Sequence, residues 1–375
     1  MKFHKSLVLV LLSGLAIGPL SVLALPVNGL YRHEVAVENQ SEQERNRAFR
    51  EALAAVIVKV TGERRWLENV TIETALGNAG NFVEAIESRT ESRVVEADTS
   101  LPQTNPLSGS PALPATVEQE LLNVSFARDL IDQLLARASI PVWDSNRPGV
   151  LVWMAIQNDV GERRLLSPET DPGIMDLMRE FAKERGLPIL FPVLDFEDRR
   201  NLTADVIWAL DEETIARASA RYAPDSILSG RLLFSASGDL VGLWQFQFQD
   251  QVEVFDSIDT ELASYIEDPL NRITSQLARH FAVVPSTGGQ QTARLRVEGI
   301  GTLAAYAELV SYLEGLVLVE GVTVAALNGE VLELNLALQG SQGQLSELLS
   351  LDRNLAPLGL GSIENPQVLT YRWAR

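Results

Sequence analysis

Asp195, Glu197 and Asp198 stand within four residues of one another, directly after the apolar stretch 188–194. Carboxylates at that spacing suit Mg²⁺ or Ca²⁺, which take oxygen ligands, or an acid/base pair for hydrolysis. Arg199 and Arg200 follow at once, so the same residues also suit a polar loop closed by salt bridges at a strand end. Position adds interest, because ligands of α/β sheets bind at the carboxyl ends of the strands. Gly299-Ile300-Gly301 lies between an expected strand and an expected helix, where a phosphate loop would sit. It lacks a third glycine and a lysine, and reads as turn geometry.

His33 and His280 are the histidines outside the first 24 residues, and they fall in different expected units, which argues against a shared site. No G-x-S-x-G elbow surrounds any serine. The chain has no cysteine, which excludes disulfides, thiolate catalysis and cysteine-ligated metal. The residues call for no cofactor. The only metal candidates are Asp195, Glu197 and Asp198.

The elements that must position these residues alternate along the chain. Residues 30–38 read as a strand. Ser41 caps a helix, with Glu44 three residues on as a capping box. Ala48, Phe49, Ala52, Leu53, Val56 and Val60 give that helix one buried face, and Gly62 ends it. Helical segments are expected near 72–76 and 81–86, then a strand over 92–97. Residues 100–115 hold four prolines and no charge, a loop before the return strand 118–125. A helix over 126–138 completes this unit.

A second unit opens at Arg147-Pro148-Gly149. Residues 150–156 are apolar almost throughout, as a strand covered on both faces should be. A helix over 171–185 carries Pro172 in its first turn and Gly186 past its end. Another helix spans 211–222, strands follow over 226–234, 240–249 and 251–256, and Asp259 or Thr260 caps a long helix ending near His280. Residues 285–291 read as a flexible linker. Beyond it the order is βαββαβ, with Asn328-Gly329 as the hairpin turn, the ferredoxin-like split motif.

The fold class expected is α/β and α+β, in three small mixed-sheet domains: 25–145, 146–284 and, after the linker 285–291, 292–375. That division fits a length of 375 residues, too long for one ordinary core.

Residues 1–24 read as a signal peptide. Lys2 and Lys5 precede an apolar core of about 11 residues, shorter than a membrane span, and Val22 and Ala24 suit cleavage after Ala24. Without that leader, 29 basic residues face 50 acidic ones, a net charge of −21. Such a balance excludes nucleic-acid binding, which needs a basic footprint, and disfavours anionic lipid. No later stretch is apolar for 18 residues, so no stable membrane insertion is expected. The expected location is the periplasm.

Several stretches resemble a proteobacterial exported family known as domain of unknown function 2066. They are Leu30-Tyr31 with residues 44–49, residues 58–62, Arg147-Pro148 with 150–153, residues 187–195, and residues 218–222 with 228–232. The resemblance implies an exported protein and carries over no catalytic residue. At the level of fold the middle unit resembles the amino-terminal domain of the Tol translocation protein, which implies a docking module. Three functions remain open: a non-enzymatic scaffold or adaptor docking onto a cell-envelope protein, a periplasmic small-ligand binding protein with its site between the first two units, and a metal-dependent hydrolase using Asp195, Glu197 and Asp198.

Overall fold

A computed structural model describes residues 27–95, 115–235, 237–284, 291–360 and 368–374. The expected signal peptide, most of the proline-rich stretch 100–115 and all but the last residue of the linker 285–291 lie outside the described residues. The described residues have the expected mixed α/β fold, built on three sheets.

The first sheet joins β1 (Arg32–Val37), β2 (Val83–Val95) and β3 (Ala115–Phe126) in the antiparallel order β1-β3-β2. Helix α1 (Glu42–Thr61) lies across it and buries the expected residues, from Ala48 to Val60. Ser41 Oγ accepts from the Glu44 amide at 3.2 Å. The return half of the expected capping box is absent, because Glu44 Oε1 accepts from Glu38 N instead. Gly62 closes α1 in the left-handed conformation, φ 72°. Helices α2 (Val70–Gly77) and α3 (Arg128–Arg137) complete the unit. The helix expected over 81–86 is a single 3-10 turn, Ala79–Phe82, and β2 begins at Val83. From Glu84 to Ser92 this strand is exposed on both faces, so no apolar period marks it in the sequence.

The second sheet has the order β5-β4-β7-β8-β9, with β6 also on β4. Its strands are β4 (Val150–Gln157), β5 (Arg163–Leu165), β6 (Ile189–Leu190), β7 (Ser226–Phe234), β8 (Leu240–Phe248) and β9 (Gln251–Asp259). Helices α4 (Pro172–Arg185) and α8 (Leu262–Phe281) cover one face. On the other face lie α6 (Ala204–Ala209) and α7 (Glu212–Ser219), packed on Leu151, Trp153 and Ile227, with α5 (Phe196–Asn201) against α7. Residues 195–200, expected as a loop, are therefore a helix start. Asp195 caps α5, accepting from Asp198 N at 3.0 Å. The first turn of α8 has no side-chain cap at Glu261, while Asp259 Oδ1 accepts from the amides of Thr260 and Glu261.

The third sheet, β11-β12-β10-β14-β13, comprises β10 (Gln291–Glu298), β11 (Val319–Asn328), β12 (Val331–Leu338), β13 (Leu355–Leu360) and β14 (Val368–Trp373), with helices α9 (Leu303–Glu314) and α10 (Gln342–Ser350). The expected βαββαβ order is present with one strand added. β13 precedes the last strand and reverses its direction, so β14 enters parallel to β10. Pro357 marks β13 as an edge, the position in a sheet that a residue without an amide donor can hold.

The connecting segment 141–148 is largely buried and touches all three sheet units. Val142 forms a β-bridge with Val283. Asp144 Oδ2 accepts from Val317 N at 2.6 Å, and Asn146 Nδ2 donates to Leu348 O at 2.7 Å. Arg147 reaches the ends of two helices, as the next section describes.

Candidate functional site

Asp195, Glu197 and Asp198 do converge, and they converge on an arginine. Arg221, just after α7, makes two hydrogen bonds to Asp195, both at 2.8 Å, and lies 3.1 Å from Asp198 and 3.5 Å from Glu197. Those bonds from Arg221, then the Asp198 amide, hold the Asp195 carboxyl below its usual range, at about 2. Asp198 is 1 % exposed. It accepts from Leu194 N at 2.9 Å and from the Tyr222 hydroxyl, and Tyr222 Oη accepts from Val193 N at 2.9 Å. Burial, then the Asp198 hydrogen bond, push the Tyr222 phenol up. The cluster thus fastens the 193–198 turn to the 3-10 turn Ala220–Tyr222 that follows α7. Among the described residues no group of three or more His, Asp or Glu is arranged to hold a metal ion.

Gly299 adopts φ +89°, where a Cβ would lie 3.0 Å from Trp373 O, and Ile300 N donates to Glu330 O at 2.9 Å. A Cβ on Gly301 would meet the Glu330 carboxylate at 3.2 Å. A carboxylate beside the turn opposes an anion there, so the glycine pair serves the chain's geometry. His280 lies 2.6 Å from Glu347 of α10 and packs edge-on against Phe248 and Phe281. His33 lies elsewhere, in the first unit.

Around His33 a different group of side chains comes together. A cleft of about 660 Å³ opens between the first sheet and the carboxyl end of α4. That is the size of an ordinary small-molecule pocket. Arg32 and His33 enter it from β1, Lys59 from α1, and Lys183 from α4. Lys59 is 7 % exposed, and its Nζ donates to Arg32 O at 2.9 Å and Gly29 O at 3.4 Å. Among the described residues, no carboxylate lies within ion-pair distance of Arg32, Lys59 or Lys183. The one acid of the wall, Glu34, is taken by both arms of Arg89 at 2.8 and 2.9 Å. Burial, then the charges of Lys183, Arg147 and Arg32, pull the Lys59 ammonium down to about 8. Burial, then Lys59 and Lys183, pull His33 down to about 4. Unbalanced positive charge in an acidic chain is a site with a stated preference: it favours an anion.

Two buried arginines fix the walls of this cleft. Arg147 donates to Lys59 O at 2.7 Å, Arg185 O at 2.9 Å, Gly186 O at 3.0 Å, Asp144 O at 2.8 Å and Trp143 O at 2.9 Å, and its guanidinium lies over the Trp143 ring. Arg185 reaches Gly62 O at 2.5 Å and Asn271 Oδ1. Cations therefore sit on the carbonyl ends of both α1 and α4, where the helix dipoles favour them. Sequence reasoning missed Lys59 as a site residue. Its signal was a lone lysine inside the run Val56-Ile57-Val58-Lys59-Val60, whose other members are all buried.

Comparison with known proteins finds a family match over about a third of the chain. A family model described as domain of unknown function (DUF8605) matches residues 24–144. The resemblance to domain of unknown function 2066 is thereby corrected: the matched family is a different one. The stretches that carried that resemblance are largely buried α/β segments such as Val150 to Trp153, whose apolar pattern many unrelated sheets share. No curated protein matches the chain. A solved structure described as "Crystal structure of uncharacterized protein" is 11 % identical, covering 36 % of this chain and 92 % of its own, with a TM-score of 0.18. At that score it carries no argument.

Proposed function

We propose that the protein is a periplasmic binding protein whose cleft between β1, α1 and the end of α4 holds a small anionic ligand bearing a carboxylate or phosphate. The observation that carries this reading is Lys59, a nearly buried ammonium at the cleft whose hydrogen-bond partners among the described residues are backbone carbonyls. Burying a charge is costly unless it is paired, and an anion in the cleft would supply the pairing. Arg32, His33 and Lys183 supply further donors around the same space. The leader read from residues 1–24 supports the location.

The test is thermal unfolding of the purified protein with inorganic phosphate, citrate and acetate, each against matched chloride. Stabilisation by one of them that is lost in Lys183→Glu supports the reading. Equal curves for wild type and variant in every anion remove it.

A docking adaptor of the cell envelope is a second reading, favoured by the edge of the middle sheet. Val252, Val254 and Ile258 of β9 share one face and are 41, 53 and 68 % exposed. Exposed apolar patches on soluble proteins mark interaction surfaces. Crosslinking in living cells tests it, since an envelope protein captured through β9 supports the reading and self-crosslinks alone oppose it.

A further inference from the structure

The longest strand of the first sheet carries its own partner in its sequence. Among the described residues β2 is an outer strand, bonded to β3 on one side only, and residues 84–92 are exposed. Its pairing with β3 is regular from Ala85 to Val95, with no proline and no bulge in that span. Natural proteins blunt such edges, because an open row of amides and carbonyls recruits another strand. Neither proline nor a bulge interrupts this edge from Ala85 to Val95, and its charges are ordered: Glu87-Ser88-Arg89 and Glu91-Ser92-Arg93 flank Thr90.

We infer that β2 pairs antiparallel with β2 of a second copy, about a two-fold axis through Thr90, to make a continuous six-stranded sheet. In that register Arg89 stands opposite Glu91 of the second copy and Glu87 opposite Arg93, each pair occurring twice by symmetry. Ser88 meets Ser92, Thr90 meets itself, and Ile86 meets Val94, so polar, charged and apolar positions all match. Opposite charges facing across strands stabilise a pair, and like charges oppose it. Centring the axis on Arg89 or Glu91 instead stacks Arg on Arg or Glu on Glu. Centring it on Ser88 or Ser92 keeps only half of the Glu–Arg pairs. The repeat therefore selects one register. Arg89 is held by Glu34 through Nε and Nη2 and lies 3.6 Å from Glu91 of its own chain, which leaves Nη1 as a donor for Glu91 of the second copy. An interface of this kind is isologous, the same strand on both sides, and closes as a dimer. It adjoins the ligand cleft, whose rim Arg89 and Glu34 also line.

The absence of cysteine makes the test direct. Residue 90 lies on the axis, and facing Cα atoms in an antiparallel pair are about 4.5–5.5 Å apart, within disulfide reach. Thr90→Cys in the full chain should oxidise to a covalent dimer. Ser88→Cys alone should not, because its opposite is Ser92, while Ser88→Cys with Ser92→Cys should. Light scattering of the wild type should give the dimer mass, and Glu91→Arg should weaken the dimer at least tenfold. A monomeric wild type at 100 µM (about the upper concentration of the assay) with no Thr90→Cys dimer would overturn the inference. So would equal crosslinking of Thr90→Cys and Ser88→Cys.

Discussion

The Arg147 guanidinium donates to the carbonyl of Lys59 at 2.7 Å, so the residue that joins the first two units also closes the helix from which the cleft's buried ammonium projects. Position of the site and cohesion of the fold are thus one arrangement. Arg147 makes five hydrogen bonds, all to backbone carbonyls, and three of those carbonyls belong to the ends of α1 and α4. Lysine has no planar fork with which to span them.

Arg147→Lys should therefore destabilise the protein by roughly 3–5 kcal/mol, because an ammonium leaves at least two of those buried carbonyls without a donor. Arg50→Lys, on the exposed side of α1, should stay within about 0.5 kcal/mol. Urea unfolding measures both. Equal midpoints for the two variants would show that the junction does not depend on the guanidinium.

Much of this fold is legible in the sequence, and the reasons are local. α1 has its cap at Ser41, its apolar face and its stop at Gly62; α4 has Pro172 and Gly186; the β11–β12 hairpin has Asn328-Gly329. Strand β2 is not legible, because a strand exposed on both faces shows no alternation. Neither is β13, which changes the direction of the last strand without changing the apolar pattern. The site was least visible. Asp195, Glu197 and Asp198 announce themselves by clustering, but the residue that claims them, Arg221, lies 23 positions beyond Asp198 and is brought there by the fold. The cleft gathers Arg32, Lys59 and Lys183 from three elements, and only the odd polar residue in the α1 core hinted at it.

The carboxylate cluster is a fastening, so it should respond as one. Asp198→Ala leaves Leu194 N and the Tyr222 hydroxyl without their acceptor, and should cost about 2–4 kcal/mol. In combination with Tyr222→Phe the loss should be less than the sum of the single changes, because the two share a bond. Mg²⁺ and Ca²⁺ should leave the melting temperature of the wild type unchanged. A divalent-cation shift abolished by Asp198→Ala would return the cluster to the list of metal sites.

Gly62 and Gly77 end two neighbouring helices and should respond oppositely to a methyl group. At Gly62 the φ is +72°, and a Cβ would lie 2.6 Å from the Trp143 ring and 2.8 Å from Ala278 Cβ. Both neighbours are buried, so Gly62→Ala should cost about 2–4 kcal/mol. At Gly77 none of the described residues lies within 4 Å of that position. Gly77→Ala should stabilise by about 0.5–1 kcal/mol, through the lost freedom of the unfolded chain. Thermal melts of the two variants, read against the wild type, check the sign of each.

Lys59 gives the cleft a signature in pH. Folding pulls its ammonium from 10.5 to about 8, chiefly by burial. Between those values the unfolded chain holds a proton that the folded chain has lost, so stability attributable to Lys59 rises with pH across that window. The stability of the wild type relative to Lys59→Met should therefore be flat below about pH 7 and climb from pH 8 to 10, with a slope of at most about 1.4 kcal/mol per unit. Taking the difference between the two proteins cancels the other groups that titrate there. Anion affinity should move the opposite way over the same window, falling above pH 8 as the ammonium loses its proton. On the acid side His33 is held neutral down to about pH 4 by burial and by Lys59 and Lys183. An anion in the cleft offsets those charges, so binding should draw a proton onto the ring and tighten as pH falls from 7 to 5. Calorimetric titration in two buffers of different ionisation enthalpy measures that proton directly. Affinity that ignores pH on both sides, with a flat stability difference, would place the ligand away from Lys59 and His33.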